Sequence, residues 1–240
     1  LQKVGDINWL EKNYDFKKIS YFIDELLILD ISRKKKNVDM FLKNLNLISK
    51  FCFIPIAVGG GINSIQTVKI FLSNGADKVV INSNLNLKLL KEISKTYGQQ
   101  SIIASVDYKK DKGKYKIFIN NSSEELKVSV KDYLTKVINF PVGEIMLNSI
   151  DQDGTGNGID FNILKFLPKI VKKSIIISGG CGNSIHLSEG LNNKKVDAVS
   201  TANLLNFIGD GLKKAREDML SKKFKLPIWD VKTINKLKGR

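Results

Sequence analysis

Residues 56–66 read IAVGGGINSIQ, and residues 176–186 read IISGGCGNSIH. In each, an apolar run rich in β-branched residues closes on glycines, and an Asn-Ser pair follows where a helix would open. Aligning Gly59 with Gly179 gives an offset of 179 − 59 = 120. A second pair of segments keeps it: GADKVVINSN starts at Gly75 and KVDAVSTANL at Lys195, so 195 − 75 = 120. Two segments matched without a gap predict an internally duplicated chain, each half carrying one strand–glycine turn–helix unit. Glycines let the backbone approach an anion closely, and Asn63 and Ser64 suit a helix N-cap. The free N–H groups and dipole of a helix N-terminus attract phosphate. One such turn by itself usually does no more than connect two elements. Two related turns half a fold apart point to two anion pockets, and hence to a ligand with a phosphate at each end.

Outward from these turns, buried apolar runs alternate with helical patterns. Strands are expected at 25–31, 54–58, 78–82, 101–107, 144–148, 174–178 and 196–200. Helices are expected at 9–19, 38–50, 64–74, 86–96, 128–138, 160–171, 183–191 and 210–220, with Asp160 as a plausible N-cap of the sixth. Buried strands alternating with helices indicate a parallel sheet. With the half-chain repeat, this predicts one α/β domain over residues 1–240, a (β/α)8 TIM barrel whose halves span about 1–100 and 101–220, followed by a basic tail at 221–240. Seven strands are one short of closure, so the first strand is expected to precede Leu1. The segment YKKDKGKYKIFIN, 108–120, breaks the rhythm and reads as a hairpin insertion turning at DKG.

Composition narrows the function. The formal net charge is +15, but the lysines are scattered, with one short cluster, RKKK, at 33–36. That fits solvated surface lysines and an attraction to phosphorylated substrate or an acidic partner better than nucleic acid. No apolar run reaches the roughly 20 residues of a membrane span, and no signal peptide is evident. Cys52 and Cys181 are too few for a disulfide framework, so a cytoplasmic location is expected. His186 is the only histidine, which argues against a Ser-His-Asp triad or a zinc cluster and gives it the reading of a surface residue; no metal or cofactor is expected.

Barrel active sites lie at the C-terminal ends of the strands. The carboxylates expected there are Asp30, Asp107, Asp151 and Asp153, a set suited to proton transfer. The competing role is to cap the helix that follows. Asp107 escapes it, because a hairpin follows instead.

The segments IDELLILDI, VGGGI, GADKVVINS, SVD, GEIMLNSIDQDGT, SGGCGN and VDAVSTAN, in that order over about residues 5–207, resemble the HisF-type cyclase subunit of imidazole glycerol phosphate synthase. The resemblance implies a barrel that receives ammonia from a HisH-type glutaminase and uses it at the mouth on a bis-phosphorylated ribulosyl-aminoimidazole compound. It implies one phosphate near Gly59, Gly60, Gly61, Asn82 and Ser83, and the other near Gly154, Gly179, Gly180, Ala202 and Asn203, where the family has serine at the last position. It implies Asp107 as one of two acid–base aspartates, the other lying on strand one, with Asp153 in support and Thr155 as a nearby hydroxyl. Glu25, Lys78 and Glu144 match three members of a charged ring that gates ammonia; an ordinary salt-bridge cluster is the alternative. Asp77 matches a position facing the glutaminase.

The opening VGDINWLEKNYDF, the Asn at position 148 and the stretch SSEELKVSV depart from the histidine enzymes. The first two resemble HisF-like paralogues that serve acetamidino-sugar synthesis for lipopolysaccharide or flagellar glycans. The reading is thus an ammonia-using barrel subunit of that branch. The alternatives are the histidine-pathway cyclase and a non-catalytic conduit passing ammonia to a third, acceptor enzyme.

Overall fold

A computed structural model describes residues 19–32, 36–202, 204 and 211–228. The expected helix at 9–19 lies outside the described residues except for Ile19, as does Asn203. Seven parallel strands follow in chain order: β1 (Leu26–Leu29), β2 (Ile56–Gly59), β3 (Lys78–Ile81), β4 (Ile102–Asp111), β7 (Glu144–Ser149), β8 (Ser174–Ser178) and β9 (Ala198–Ser200). Two further strands, β5 (Lys114–Ile119) and β6 (Glu124–Leu126), hang from β4 as an antiparallel extension. Among the described residues β1 and β9 each have one unpaired side, where the eighth strand of a (β/α)8 barrel would pair.

Helices follow the strands: α1 (Val38–Ser49), α2 (Ile65–Leu72), α3 (Leu87–Tyr97), α4 (Val130–Ile138), α5 (Ser184–Asn192) and α6 (Gly211–Ser221). Five begin at an Asn or Ser whose side chain accepts the N–H three residues on: Asn37, Ser64, Asn86, Ser129 and Asn183. Each satisfies one donor the helix leaves open and fixes where the helix starts above its strand. The main core lies between strands and helices, with Val58, Val79, Ile102, Ile145 and Ile177 against Leu45, Val68, Leu90, Ile93 and Leu134.

The opposite face of the strands forms a separate, smaller cluster: Ala57, Val80, Ile103 and Met146, with Leu27 and Ile176 against them. Side chains alternate across a strand. The inward row therefore runs Lys78–Val80–Asn82 along β3 and beyond it, Ile103–Ser105–Asp107 on β4 and Glu144–Met146–Asn148 on β7. The interior has a charged floor, an apolar collar and a polar mouth.

Three sequence expectations change. The repeat is not gap-free. β1 pairs Leu29 with Gly59, and β7 pairs Asn148 with Ser178, so Gly60 packs on Asp30 and Gly179 packs on Ser149. The structural offset at the turn is 179 − 60 = 119, and the N-caps agree, 183 − 64 = 119. Asp77 and Asp197 restore 120, and the extra residue sits in α5, nine residues against eight in α2. The expected helix at 160–171 is a six-residue 3-10 turn, Phe161–Phe166, capped by Asp160. Pro168 ends it, because the residue before a proline is pushed out of the helical region and Leu167 is extended at ψ 147°. Asp107 does not end its strand either. β4 runs on to Asp111, pairing with β7 as far as Tyr108 and with β5 from Asp107 outward.

At the floor, the two halves share one device. Asp77 accepts the Ile56 N–H at 2.8 Å and returns its own N–H to Ile56 O at 2.8 Å. Asp197 does the same with Ile175, at 2.8 and 2.9 Å. Asp197→Ala leaves a strand-end N–H without its acceptor and is expected to lower the unfolding free energy by about 1–2 kcal/mol in denaturant titration. Asp197→Asn, still an acceptor, is expected to lose less than half of that. Equal losses would show that the carboxylate does not hold the strand end.

Candidate functional site

At the mouth, Asp107 stands where β4 leaves the barrel. Its Oδ1 accepts from Asn148 Nδ2 at 3.1 Å and from Ser105 Oγ at 3.4 Å. Burial pushes its pKa above the usual aspartate value; those two hydrogen bonds oppose the shift, and the charge of Asp153 adds to it. Asp153 is exposed, in the loop after β7. Thr155 is also exposed and serves its own turn, donating to Gln152 O at 2.8 Å and accepting from Asn157 N at 3.2 Å.

Around the first glycine turn, Gly59 belongs to β2, and a Cβ there would lie 2.7 Å from Leu29 Cδ2 and 2.9 Å from Val80. It serves strand packing. Gly60 and Gly61 make the turn, with φ of 113° and 81°. Asn82 Nδ2 donates to Ser105 O at 3.1 Å, and Ser83 Oγ donates to Asn82 Oδ1 at 3.2 Å while accepting the Asn120 N–H at 2.9 Å. The hairpin insertion thus reaches the rim of this turn.

The second turn is built from Gly179 and Gly180, at φ 96° and 89°. The Gly158 N–H donates to Gly180 O at 2.8 Å, and a Cβ on Gly180 would collide with Gly158 O. Gly154, at φ 76°, has open space on its side-chain face. Ala202 is exposed just after β9. His186, expected at the surface, is half-buried, and its Nδ1 accepts the Gly182 N–H at 3.1 Å. The sequence signal was its place four residues after a loop glycine at a helix start.

The loop between β7 and the 3-10 turn is fastened to the insertion. Asp151 accepts from Ser149 Oγ at 3.0 Å and from the Lys110 N–H at 3.2 Å. The Tyr115 hydroxyl donates to the Asp160 carboxylate, 2.7 Å from Oδ2. Asp151 therefore splints the mouth.

At the floor, Lys78 Nζ donates to Glu25 at 2.6 Å and to Glu144 at 2.7 Å. Burial disfavours the ammonium charge, but the hydrogen bonds to Glu144 and Glu25 outweigh it and leave its pKa above the ordinary lysine value. Burial also raises the Glu25 carboxyl against the pull of Lys78, with Glu144 adding repulsion. Asp77 is exposed beside them. Among the described residues no group of three His, Cys, Asp or Glu side chains is disposed to hold a metal ion, and no helix is long and apolar enough to cross a membrane.

These features define a (β/α)8 barrel with a polar mouth and a charged floor. The sequence profile of the family described as "Histidine biosynthesis protein" matches residues 10–208. Among similar proteins, "Putative imidazole glycerol phosphate synthase subunit hisF2" of Parasynechococcus marenigrum is 45% identical over 219 residues, 90% of this chain and 81% of that protein. "Imidazole glycerol phosphate synthase subunit HisF" of Leptospira biflexa is 36% identical over 200 residues, 82% and 78% of the two chains. The protein of the same name in Chloroherpeton thalassium is 33% identical over 195 residues, 80% and 78%. The chain belongs to the histidine biosynthesis protein family, among its HisF-type subunits.

An acid whose pKa is raised on folding opposes stability once it ionises, and that opposition fades as pH falls through the folded-state pKa. Asp107→Asn is therefore expected to be more stable than the parent at pH 7, with the gap narrowing as pH drops toward the ordinary aspartate range. Denaturant titrations at several pH values test this. A variant less stable at pH 7 would mean that the carboxylate's hydrogen bonds outweigh its burial.

Proposed function

We propose that this chain is the ammonia-using barrel subunit of a glutamine-dependent amidotransferase, of the paralogous type that serves acetamidino-sugar synthesis. The observation that carries the amidotransferase reading is the axial order of the interior: Lys78 between Glu25 and Glu144, then the collar of Leu27, Ala57, Val80, Ile103, Met146 and Ile176, then Asp107 with Asn148. An apolar collar passes neutral ammonia more readily than ammonium, because it offers a charge no solvation. Lys78 bars the way in until its two carboxylate contacts loosen. On this reading a HisH-type glutaminase docks on the floor face, where Asp77 lies.

At the mouth Asp107 is the acid–base group, its raised pKa bringing it closer to neutral pH. Asp153 supports it, and the exposed Thr155 borders the site. A phosphorylated substrate is gripped at Gly60, Gly61, Asn82 and Ser83 at one end and at Gly154, Gly179, Gly180 and Ala202 at the other. The greater likeness to the hisF2-named relative, 45% against 36% and 33%, supports the paralogous branch. The HisF-named relatives keep the histidine-pathway cyclase as the second reading.

Mixing the purified chain with its glutaminase partner is expected to raise glutamine hydrolysis; an unchanged rate would remove the partnership. Asp107→Asn is expected to abolish ammonia-dependent turnover while ligand binding persists. Full turnover by that variant would instead support a conduit feeding a third, acceptor enzyme. A histidine auxotroph lacking its cyclase subunit is expected to stay auxotrophic when given this chain; growth would favour the histidine pathway.

A further inference from the structure

We propose that Lys36 is the cation of the first anion pocket and contacts the phosphate held at the Gly60–Gly61 turn. The inference rests on the two-pocket reading above and adds to it a residue and an asymmetry between the pockets. Lys36 directly precedes Asn37, the N-cap of α1, so the start of that helix fixes its backbone. Its side chain runs back over the end of β1. Nζ donates to Asp30 O at 2.8 Å and lies 3.5 Å from Asp30 Oδ2. The stem lies across Gly61: a Cβ built there would be 2.8 Å from Lys36 Cδ, 2.9 Å from Cε and 3.4 Å from Nζ. Gly61, at φ +81°, thus leaves room for the lysine as well as for the turn.

An ammonium carries three N–H donors. Asp30 engages at most two, one through its carbonyl and one through its carboxylate, and leaves a donor beside the turn. The side chain is 29% exposed, so an incoming anion reaches it. The second turn is covered differently. The three atoms nearest a Cβ built on Gly180 belong to Gly158 and to Gln152 Cβ, where those nearest one on Gly61 all belong to Lys36. Charge assistance from Lys36 is therefore confined to one end of a doubly phosphorylated ligand.

Inorganic phosphate is titrated into the 15N-labelled full chain, following the Gly61 and Gly180 amides separately. In the parent both amides are expected to shift. In Lys36→Met, the dissociation constant read at Gly61 is expected to rise about tenfold, the scale of one lost charge-assisted hydrogen bond, with the value at Gly180 unchanged. Lys36→Arg, which keeps the charge, is expected to stay within about twofold of the parent. Lys36→Gln is the second neutral variant, and amides remote from β1 report whether either variant still folds. An unaltered Gly61 constant in a folded neutral variant overturns the role of Lys36 and leaves the two pockets standing. Parent protein with no shift at either turn overturns the two-pocket reading, and this assignment with it.

Discussion

Lys78 held between Glu25 and Glu144 fixes which way three strands face. Each contact comes from a different strand or its first flanking residue, and in a parallel sheet a slip of one residue turns every side chain to the other face. With Lys78 pointing inward, Val80 and Asn82 must follow it, and with Glu144 inward, Met146 and Asn148 must. The neighbouring register of β3, β4 and β7 then brings Asp107 level with Asn148. The acid at the mouth is thus placed by a charge cluster at the opposite end, through the period-two pleat of the strands between them. Asp77 and Asp197, each tying down an N–H at the start of the preceding strand (Ile56, the first residue of β2, and Ile175, the second of β8), hold the same register in both halves.

The mouth is less symmetric than its repeat. Both glycine turns pack against a carbonyl at the C-terminal end of the strand before them, Asp30 just past β1 and Ser149 in β7, and both precede a capped helix. What covers them differs: a lysine from the start of α1 over the first, and the backbone of Gly158 with His186 nearby over the second. The insertion formed by the outer end of β4 with β5 and β6 reaches both regions, through Asn120 to Ser83 and through Lys110 and Tyr115 to Asp151 and Asp160. It is the element that links the two halves of the mouth.

Much of this was legible in the residues. The alternation of apolar runs with capped helical segments determined the parallel barrel, because buried strands and amphipathic helices have few other ways to cover one another. The repeated Asn-Ser pairs marked two helix starts, which Ser64 and Asn183 cap, and the Lys-Gly hairpin turn at 112–113 fell within the expected DKG. Motif resemblance brought Glu25, Lys78 and Glu144 forward as a set, and they do meet.

Other features took shape only in three dimensions. Gly59 and Gly60 read alike in the chain, yet one packs between strands and the other turns, since the pairing with Leu29 sets where β2 ends. The one-residue offset of the repeat is hidden within α5, where a helix absorbs an extra residue without a visible gap. Lys36 belonged to a run of like charges, and only the return of its side chain to Asp30 at the end of β1 lays it across Gly61. Local sequence determines strand, helix and cap because those depend on neighbours a few residues away. Which carboxylate is buried and which lysine meets which turn depends on contacts between residues far apart along the chain, and packing alone decides them.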